Sequence, residues 1–276
     1  MFINPLLECN ATYNYYNPWK IKDTIDTYIR ENIESWNIID AAYYVRLLKN
    51  GSNFWYNEDI KFIPASLVKL PLAISLMRQL SFDELSTIIL VSEVPTDTYS
   101  WDLVPDKVQV WKRYSLYALL SEMLINSDNT AATALLWYLN TEKVLQTYEH
   151  FGLGIIDFNI NKSLNMSVED YATFFRILYN SSYLGHQDSE ELLSLLSKSS
   201  FTSGIRAFLP QNLTIANKFW IRTLPNWEIH LHDCWNIYFQ ESPYLLCVMT
   251  RGNDKEKQSR VIQEISKMVY DDISQK

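Results

Sequence analysis

The spacing of hydrophobic positions changes along the chain and predicts the order of its elements. Four isoleucines between residues 21 and 33 recur at helical spacing after Asn17-Pro18, which predicts an amphipathic helix over roughly residues 18–35. The next apolar segments, Ala41–Leu48 and Asn53–Tyr56, flank Asn50-Gly51, a strong short-range signal of a β-hairpin. The chain is therefore expected to begin with a helix and a hairpin.

Helical spacing dominates from Pro64 to about Phe201, and strand character returns after it. The clearest helical stretches are Leu70–Leu80, Ser115–Ile125, Thr130–Leu139, Val168–Tyr179 and Ser189–Ser197. The later elements are strands near Ile215–Thr223, Trp227–Gln240 and Tyr244–Arg251, and a last helix over about Lys255–Ile273.

This order predicts an α/β (α+β) fold, with an antiparallel sheet flanked by the N- and C-terminal helices and an inserted all-helical domain. We expect residues 1–60 and 207–276 to form the sheet domain and residues 61–206 the helical domain. A small-molecule site is expected in the cleft between them.

Composition excludes several classes of protein. The 276 residues suffice for a sizeable core, and the hydrophobic fraction of 47% is ordinary for a globular chain. A net charge of −8 argues against a nucleic-acid-binding surface. The sequence contains no apolar run of about 18 residues, the length that would predict a membrane span. The six glycines form no G-x-G-x-x-G or Walker loop, which disfavours nucleotide-binding folds. The cysteines Cys9, Cys234 and Cys247 stand in apolar settings that do not indicate a disulfide framework, and they allow at most one pair.

Three short motifs carry candidate chemistry. They are, in chain order, Ser66-Leu67-Val68-Lys69, Ser127-Asp128-Asn129 and Asn217-Lys218-Phe219-Trp220. A serine hydroxyl is a poor nucleophile unless a base takes its proton. If Ser66 starts a helix, Lys69 lies one turn further on the same face. An amine held near other cations and partly desolvated can have its pKa lowered toward neutrality and act as that base.

The order of these motifs resembles the class A β-lactamase and penicillin-binding-protein group, whose signature is S-x-x-K, S-D-N and K-T-G. The resemblance extends over nearly the whole chain and implies the β-lactamase/transpeptidase-like fold. It implies that Ser66 is the nucleophile, Lys69 its base and Ser127 a relay of the proton to the leaving nitrogen. Asn129 would bind the substrate amide and the lysine, and Lys218 would supply positive charge to Ser127 and the substrate carboxylate.

The third motif departs from K-T-G. The threonine hydroxyl of that motif contacts the substrate carboxylate, whereas Phe219 cannot form such a hydrogen bond. Trp220 stands where glycine leaves room for a ligand, so its ring would fill that space unless it points away. Arg222 could grip a carboxylate instead, or it could be an exposed charge at the sheet edge. The resemblance implies an oxyanion hole formed by the backbone N–H groups of Ser66 and Ile221.

A second departure concerns the release of the acyl group. Class A β-lactamases carry E-x-x-L-N, whose glutamate activates the hydrolytic water, and here Asn161 takes the place of that glutamate. An amide cannot act as a general base at neutral pH. Asp157 is the nearby upstream carboxylate, either a substitute base or a loop residue. We therefore expect acylation by β-lactams with slow or atypical deacylation.

The sequence is also compatible with other roles. A D,D-peptidase-like penicillin-binding protein is one alternative, and a non-catalytic binding module with its cleft closed by aromatic residues is another. His230, His232 and Cys234 share one face of the last but one strand, which fits a zinc site, but the resemblance favours a structural histidine pair without metal. It also implies no cofactor, a β-lactam or cell-wall peptide as substrate, and a monomer without nucleic-acid partners. The resemblance further implies an extracytoplasmic, periplasmic or cell-surface, location, with a signal or anchor that this sequence lacks.

Overall fold

The helices and strands are described on a computed structural model. The structure describes residues 1–4, 17–92, 107–152, 165–199, 201, 203–240 and 242–275. The helices in these ranges are α1 (Trp19–Glu34), α2 (Lys69–Gln79), α3 (Leu116–Ile125), α4 (Asn129–Tyr138), α5 (Thr141–His150), α6 (Val168–Tyr179), α7 (His186–Leu196) and α8 (Lys255–Ser274). The strands are β1 (Asp40–Leu47), β2 (Asn53–Tyr56), β3 (Ile88–Leu90), β4 (Arg113–Ser115), β5 (Thr214–Thr223), β6 (Ile229–Tyr238) and β7 (Tyr244–Gly252). Short 3-10 turns cover Ala65–Val68, Asp83–Ser86 and Ile205–Phe208.

Five strands form one antiparallel sheet in the order β2-β1-β7-β6-β5, so β5 is an edge strand. The helices α2 to α7 all lie between β2 and β5 in the chain. This arrangement confirms the predicted fold class, an antiparallel sheet with terminal helices and an inserted helical block. It also confirms the hairpin at Asn50-Gly51, where Gly51 adopts a φ of 75° that a residue without Cβ tolerates.

Each face of the sheet packs against its own apolar layer. On one face, α1 and α8 bury isoleucines such as Ile25 and Ile265 in one apolar layer, where α1 contacts β2 and α8 contacts β6 and β7. On the other face, α6 places Phe174 and Phe175 beside the sheet, in the larger core of the helical block. The apolar stripe of α1 follows the isoleucine spacing in the sequence, because residues three or four apart share one face of a helix.

Several boundaries differ from the expectation for physical reasons. Helix α7 begins at His186 rather than Ser189, which is fully buried inside the helix and does not cap it. Strand β6 begins at Ile229 because Trp227 lies in a turn with a φ of 66°. The two-stranded sheet of β3 and β4 was not predicted, since strands of three residues are too short to show a period.

Cys234 and Cys247 lie directly opposite each other on β6 and β7 and form a disulfide. This is the one pair that the sequence allowed without indicating it, because only the register of two neighbouring strands brings these sulfur atoms together. Cys9 lies outside the described residues. Within the described ranges, no helix has both the length and the apolar character needed to span a bilayer.

Candidate active site

Ser66 lies in the 3-10 turn Ala65–Val68, directly before α2. Pro64 precedes the turn with a φ of −78°, which the proline ring favours, and its carbonyl accepts a bond from Leu67 N at 2.8 Å. Lys69 is the first residue of α2, and its backbone N–H donates to the carbonyl oxygen of Ser66. Both residues are nearly buried, with Ser66 6% and Lys69 4% exposed. The nucleophile candidate and its lysine therefore sit one turn apart.

Lys69 Nζ contacts the S-D-N segment within the helical block. It lies 2.6 Å from Asn129 Oδ1 and 3.2 Å from Ser127 Oγ, and it also donates to the Ser127 carbonyl. Ser127 adopts a φ of 58°, an uncommon conformation for a residue other than glycine. Asp128 supports this conformation by capping α4, since its Oδ1 accepts from Ala131 N at 2.7 Å.

Lys218 lies in the middle of β5, the strand against which the turn carrying Ser66 packs. Its ammonium is 3.5 Å from the carbonyl oxygens of Met123 and Leu124, in the last turn of α3. The carbonyl end of a helix attracts a cation, which favours this buried position. Lys218 therefore faces the helix that leads into the S-D-N segment, and the structure brings the elements carrying Ser66, Lys69, Ser127 and Lys218 together.

The two aromatic residues after Lys218 pack in different directions. The Phe219 ring stacks on Phe201, with ring centres 3.7 Å apart and planes inclined by 10°. The Trp220 indole is 2% exposed and packs 5.4 Å from the ring of His232, in the core under the sheet. A core side chain therefore occupies the glycine position of the motif.

The structure describes two of the remaining predicted site residues, Ile221 and Arg222. The side chain of Ile221 belongs to the core on the α8 side, and Arg222 is half-buried opposite His230. Asn161 and Asp157 lie outside the described residues.

His230 and His232 form an edge-to-face pair with ring centres 5.7 Å apart. His230 contacts Glu228 Oε1 at 2.9 Å, while Thr250 N donates to His232 Nδ1 at 3.3 Å. Burial lowers the pKa of His232 to about 3, so this ring is neutral at physiological pH. The described residues contain no group of three metal-ligating side chains, and Cys234 is committed to its disulfide.

Sequence reasoning missed Asp233, a fully buried carboxyl group on β6. It accepts hydrogen bonds from Ile205 N at 2.9 Å and from the indole N–H of Trp235. Burial raises its pKa to about 8. The signal in the sequence was an acidic residue in the middle of a predicted strand.

Comparisons with known proteins agree with this fold. A family model described as "Beta-lactamase enzyme family" matches residues 21–273. A solved structure of a PBP-A mutant, in an acyl-enzyme complex with penicillin G, is similar with a TM-score of 0.77 and 19% identity, over 94% of this chain and 97% of that one. The TLA-3 extended-spectrum β-lactamase gives a TM-score of 0.80 and 16% identity, over 93% of this chain and 99% of that one. A β-lactamase from Chitinophaga pinensis gives a TM-score of 0.78 and 17% identity, over 90% of this chain and 98% of that one. A sequence search of curated proteins found no match.

Proposed function

Because this chain belongs to the β-lactamase enzyme family, we propose that it is a serine hydrolase that forms an acyl-enzyme on Ser66 with β-lactams. The observation that carries the proposal is the position of Lys69 Nζ. One turn after Ser66, it bonds to two of the three side chains of the S-D-N segment, at 3.2 Å from Ser127 Oγ and 2.6 Å from Asn129 Oδ1.

Acylation follows from this arrangement. Ser66 Oγ adds to the acyl carbonyl carbon while its proton passes to the Lys69 amine. The backbone N–H groups of Ser66 and Ile221 stabilise the oxyanion that forms. The carbon–nitrogen bond of the substrate then breaks, and the Ser127 hydroxyl gives its proton to the leaving nitrogen and receives one from Lys69. Lys218 adds positive charge beside this relay.

Release of the acyl group is the slow step of the proposed reaction. Asn161 stands at the sequence position of the water-activating glutamate, and its amide cannot accept the proton of an attacking water. The acyl-enzyme should therefore persist, and β-lactams should be trapped more readily than they are destroyed.

A D,D-peptidase-like penicillin-binding protein is the second candidate. It shares the acylation step, and the likeness in fold to the penicillin-acylated PBP-A mutant supports it. A non-catalytic binding module is a weaker candidate, because the Trp220 indole that would close the cleft is packed in the core.

Intact-mass spectrometry after incubation with benzylpenicillin or a chromogenic cephalosporin tests the proposal. We expect an adduct that adds the mass of the intact antibiotic and whose lifetime is far longer than the mixing time. Ser66→Ala should form no adduct. Ser86→Ala, which changes an exposed serine in another 3-10 turn, serves as the matched control and should still be labelled. A folded wild-type protein that takes no label would refute the acyl-enzyme, and a labelled Ser66→Ala would refute the nucleophile.

A further inference from the structure

The Phe201–Phe219 pair forms an aromatic wall beside the candidate site. Phe219 follows Lys218 on β5, and the Lys218 ammonium lies 5.9 Å from the centre of the Phe219 ring. The two rings stack face to face at 3.7 Å, and neither carries a polar atom. This wall can therefore contact a substrate only through apolar surface.

The residue opposite Phe219 on the neighbouring strand is acidic. Asp233 on β6 is the register partner of Phe219 on β5. Its carboxyl group is fixed by bonds from Ile205 N and the indole N–H of Trp235. Burial raises its pKa to about 8, so the group is either neutral or negative, and in neither state does it attract a carboxylate.

The segment that covers Asp233 offers no cation to this place. A Cβ atom on residue 204 would lie 2.0 Å from Asp233 Oδ2, so only glycine fits there. Arg206 belongs to the next turn, and its guanidinium donates to the carbonyl oxygens of Leu213 and Gln211 at 3.1 and 2.8 Å. Its charged end is thus held by the backbone between this turn and β5.

The charge of Lys218 is itself enclosed. The residue is 1% exposed, and its ammonium lies 3.5 Å from the carbonyl oxygens of Met123 and Leu124, with the Phe219 ring nearby. A substrate carboxylate that approached this ammonium would have to lose its water beside an aromatic surface, at a cost in free energy.

We propose that the leaving-group side of the cleft, next to Lys218 and Phe219, selects acyl donors that carry an uncharged apolar group there instead of a carboxylate. This inference rests on the proposed acylation of Ser66, because Ser127 and Lys218 define which side receives the leaving group. The substrate class is then a neutral amide or ester, such as a β-lactam whose carboxyl group is esterified.

Two probes that differ only in this charge test the inference. Benzylpenicillin and its methyl ester share the reactive ring, and intact-mass time courses give the second-order rate constant of labelling for each. We expect the ester to label the wild-type protein at least about ten times faster than the acid, a factor within the range of one lost or gained polar contact. An acid that labels as fast as the ester would overturn the inference while leaving Ser66 acylation intact. Absence of labelling by both compounds would overturn the proposed function and this inference with it.

Variants then locate the source of the preference. Phe219→Thr restores a hydroxyl and should raise the rate with the acid, whereas Phe219→Leu keeps an apolar surface and should keep the preference for the ester. Lys198→Gln removes an exposed cation that shares a cavity of about 500 Å³ with Phe201. A selective loss of labelling by the acid in Lys198→Gln would show that a cation does serve a carboxylate here, and the inference would fall.

Discussion

Gly204 lies so close to Asp233 that a Cβ atom on residue 204 would stand 2.0 Å from Asp233 Oδ2 and 2.7 Å from Cε1 of Phe201. The contact joins the segment before the Ile205–Phe208 turn to β6. Asp233 also accepts a hydrogen bond from Ile205 N at 2.9 Å. The position of the aromatic wall next to Lys218 therefore depends on the absence of one side chain.

Gly204→Ala should destabilise the protein by about 1–3 kcal/mol, because the methyl group forces apart a packed carboxyl group and an aromatic ring. Urea unfolding followed by circular dichroism measures the change. Gly185→Ala is the matched control, since the nearest atom to its Cβ would lie at 3.5 Å, and it should change the free energy of unfolding by less than about 1 kcal/mol. Equal effects of the two substitutions would contradict the contact.

The Asp233 carboxyl group should make stability fall as the pH rises from about 4 to about 8. Burial raises its pKa from the ordinary value of 3.8 to about 8 in the folded state, so the folded protein keeps a proton that the unfolded chain releases in this window. The slope of this contribution approaches about 1.4 kcal/mol per pH unit.

Asp233→Asn should remove that slope, measured as the wild-type minus variant difference in unfolding free energy at pH 5, 6.5 and 8. The comparison cancels the opposite contribution of His232, whose lowered pKa favours the folded state as the pH rises above about 3. Asp59→Asn, at an exposed carboxylate, should leave the pH dependence unchanged. A difference that is constant with pH would show that Asp233 stays ionised when folded.

Lys69→Met should slow the labelling of Ser66 by about 10²–10⁴-fold, the usual contribution of a positioned base. The substitution also leaves acceptors on Ser127 and Asn129 without their donor, at a cost of about 1–3 kcal/mol in stability. Stopped-flow or quenched mass measurements give the rate, and a thermal melt shows that the variant is folded. Lys61→Met, which loses an exposed ion pair to Asp170 at 2.7 Å, should be labelled at the wild-type rate. A Lys69→Met protein that reacts like the wild type would exclude Lys69 as the base.

Asn161→Glu should shorten the lifetime of the acyl-enzyme by about ten- to hundred-fold, because it supplies a carboxylate that can take a proton from water. The decay of the adduct after removal of free antibiotic measures the lifetime. Asn161→Gln, with an amide of the same length as the glutamate side chain, should leave the lifetime as in the wild type. If the glutamine shortens the lifetime as much as the glutamate, the change is one of shape and not of base catalysis.

Local pattern was sufficient to predict much of the fold and the main candidate residues. The isoleucine spacing of α1, the Asn50-Gly51 turn and the S-x-x-K spacing are properties of neighbouring residues. A helical period or a tight turn is determined within a few residues, so such features can be recognised before the chain is folded. The serine and its lysine were identified in the same way, since their separation by one helical turn is itself local.

Contacts between distant segments were decided by the tertiary structure. The Cys234–Cys247 disulfide depends on the register of β6 and β7, and a shift by one residue would turn either sulfur to the other face. The burial of Trp220, the stack of Phe219 on Phe201 and the enclosure of Asp233 by Gly204 likewise require segments that only the folded sheet and helical block bring together. The sequence by itself therefore predicted Ser66 as the candidate nucleophile and Lys69 as its candidate base. The environment of Lys218, on which the proposed substrate preference rests, arises only when the strands and helices pack.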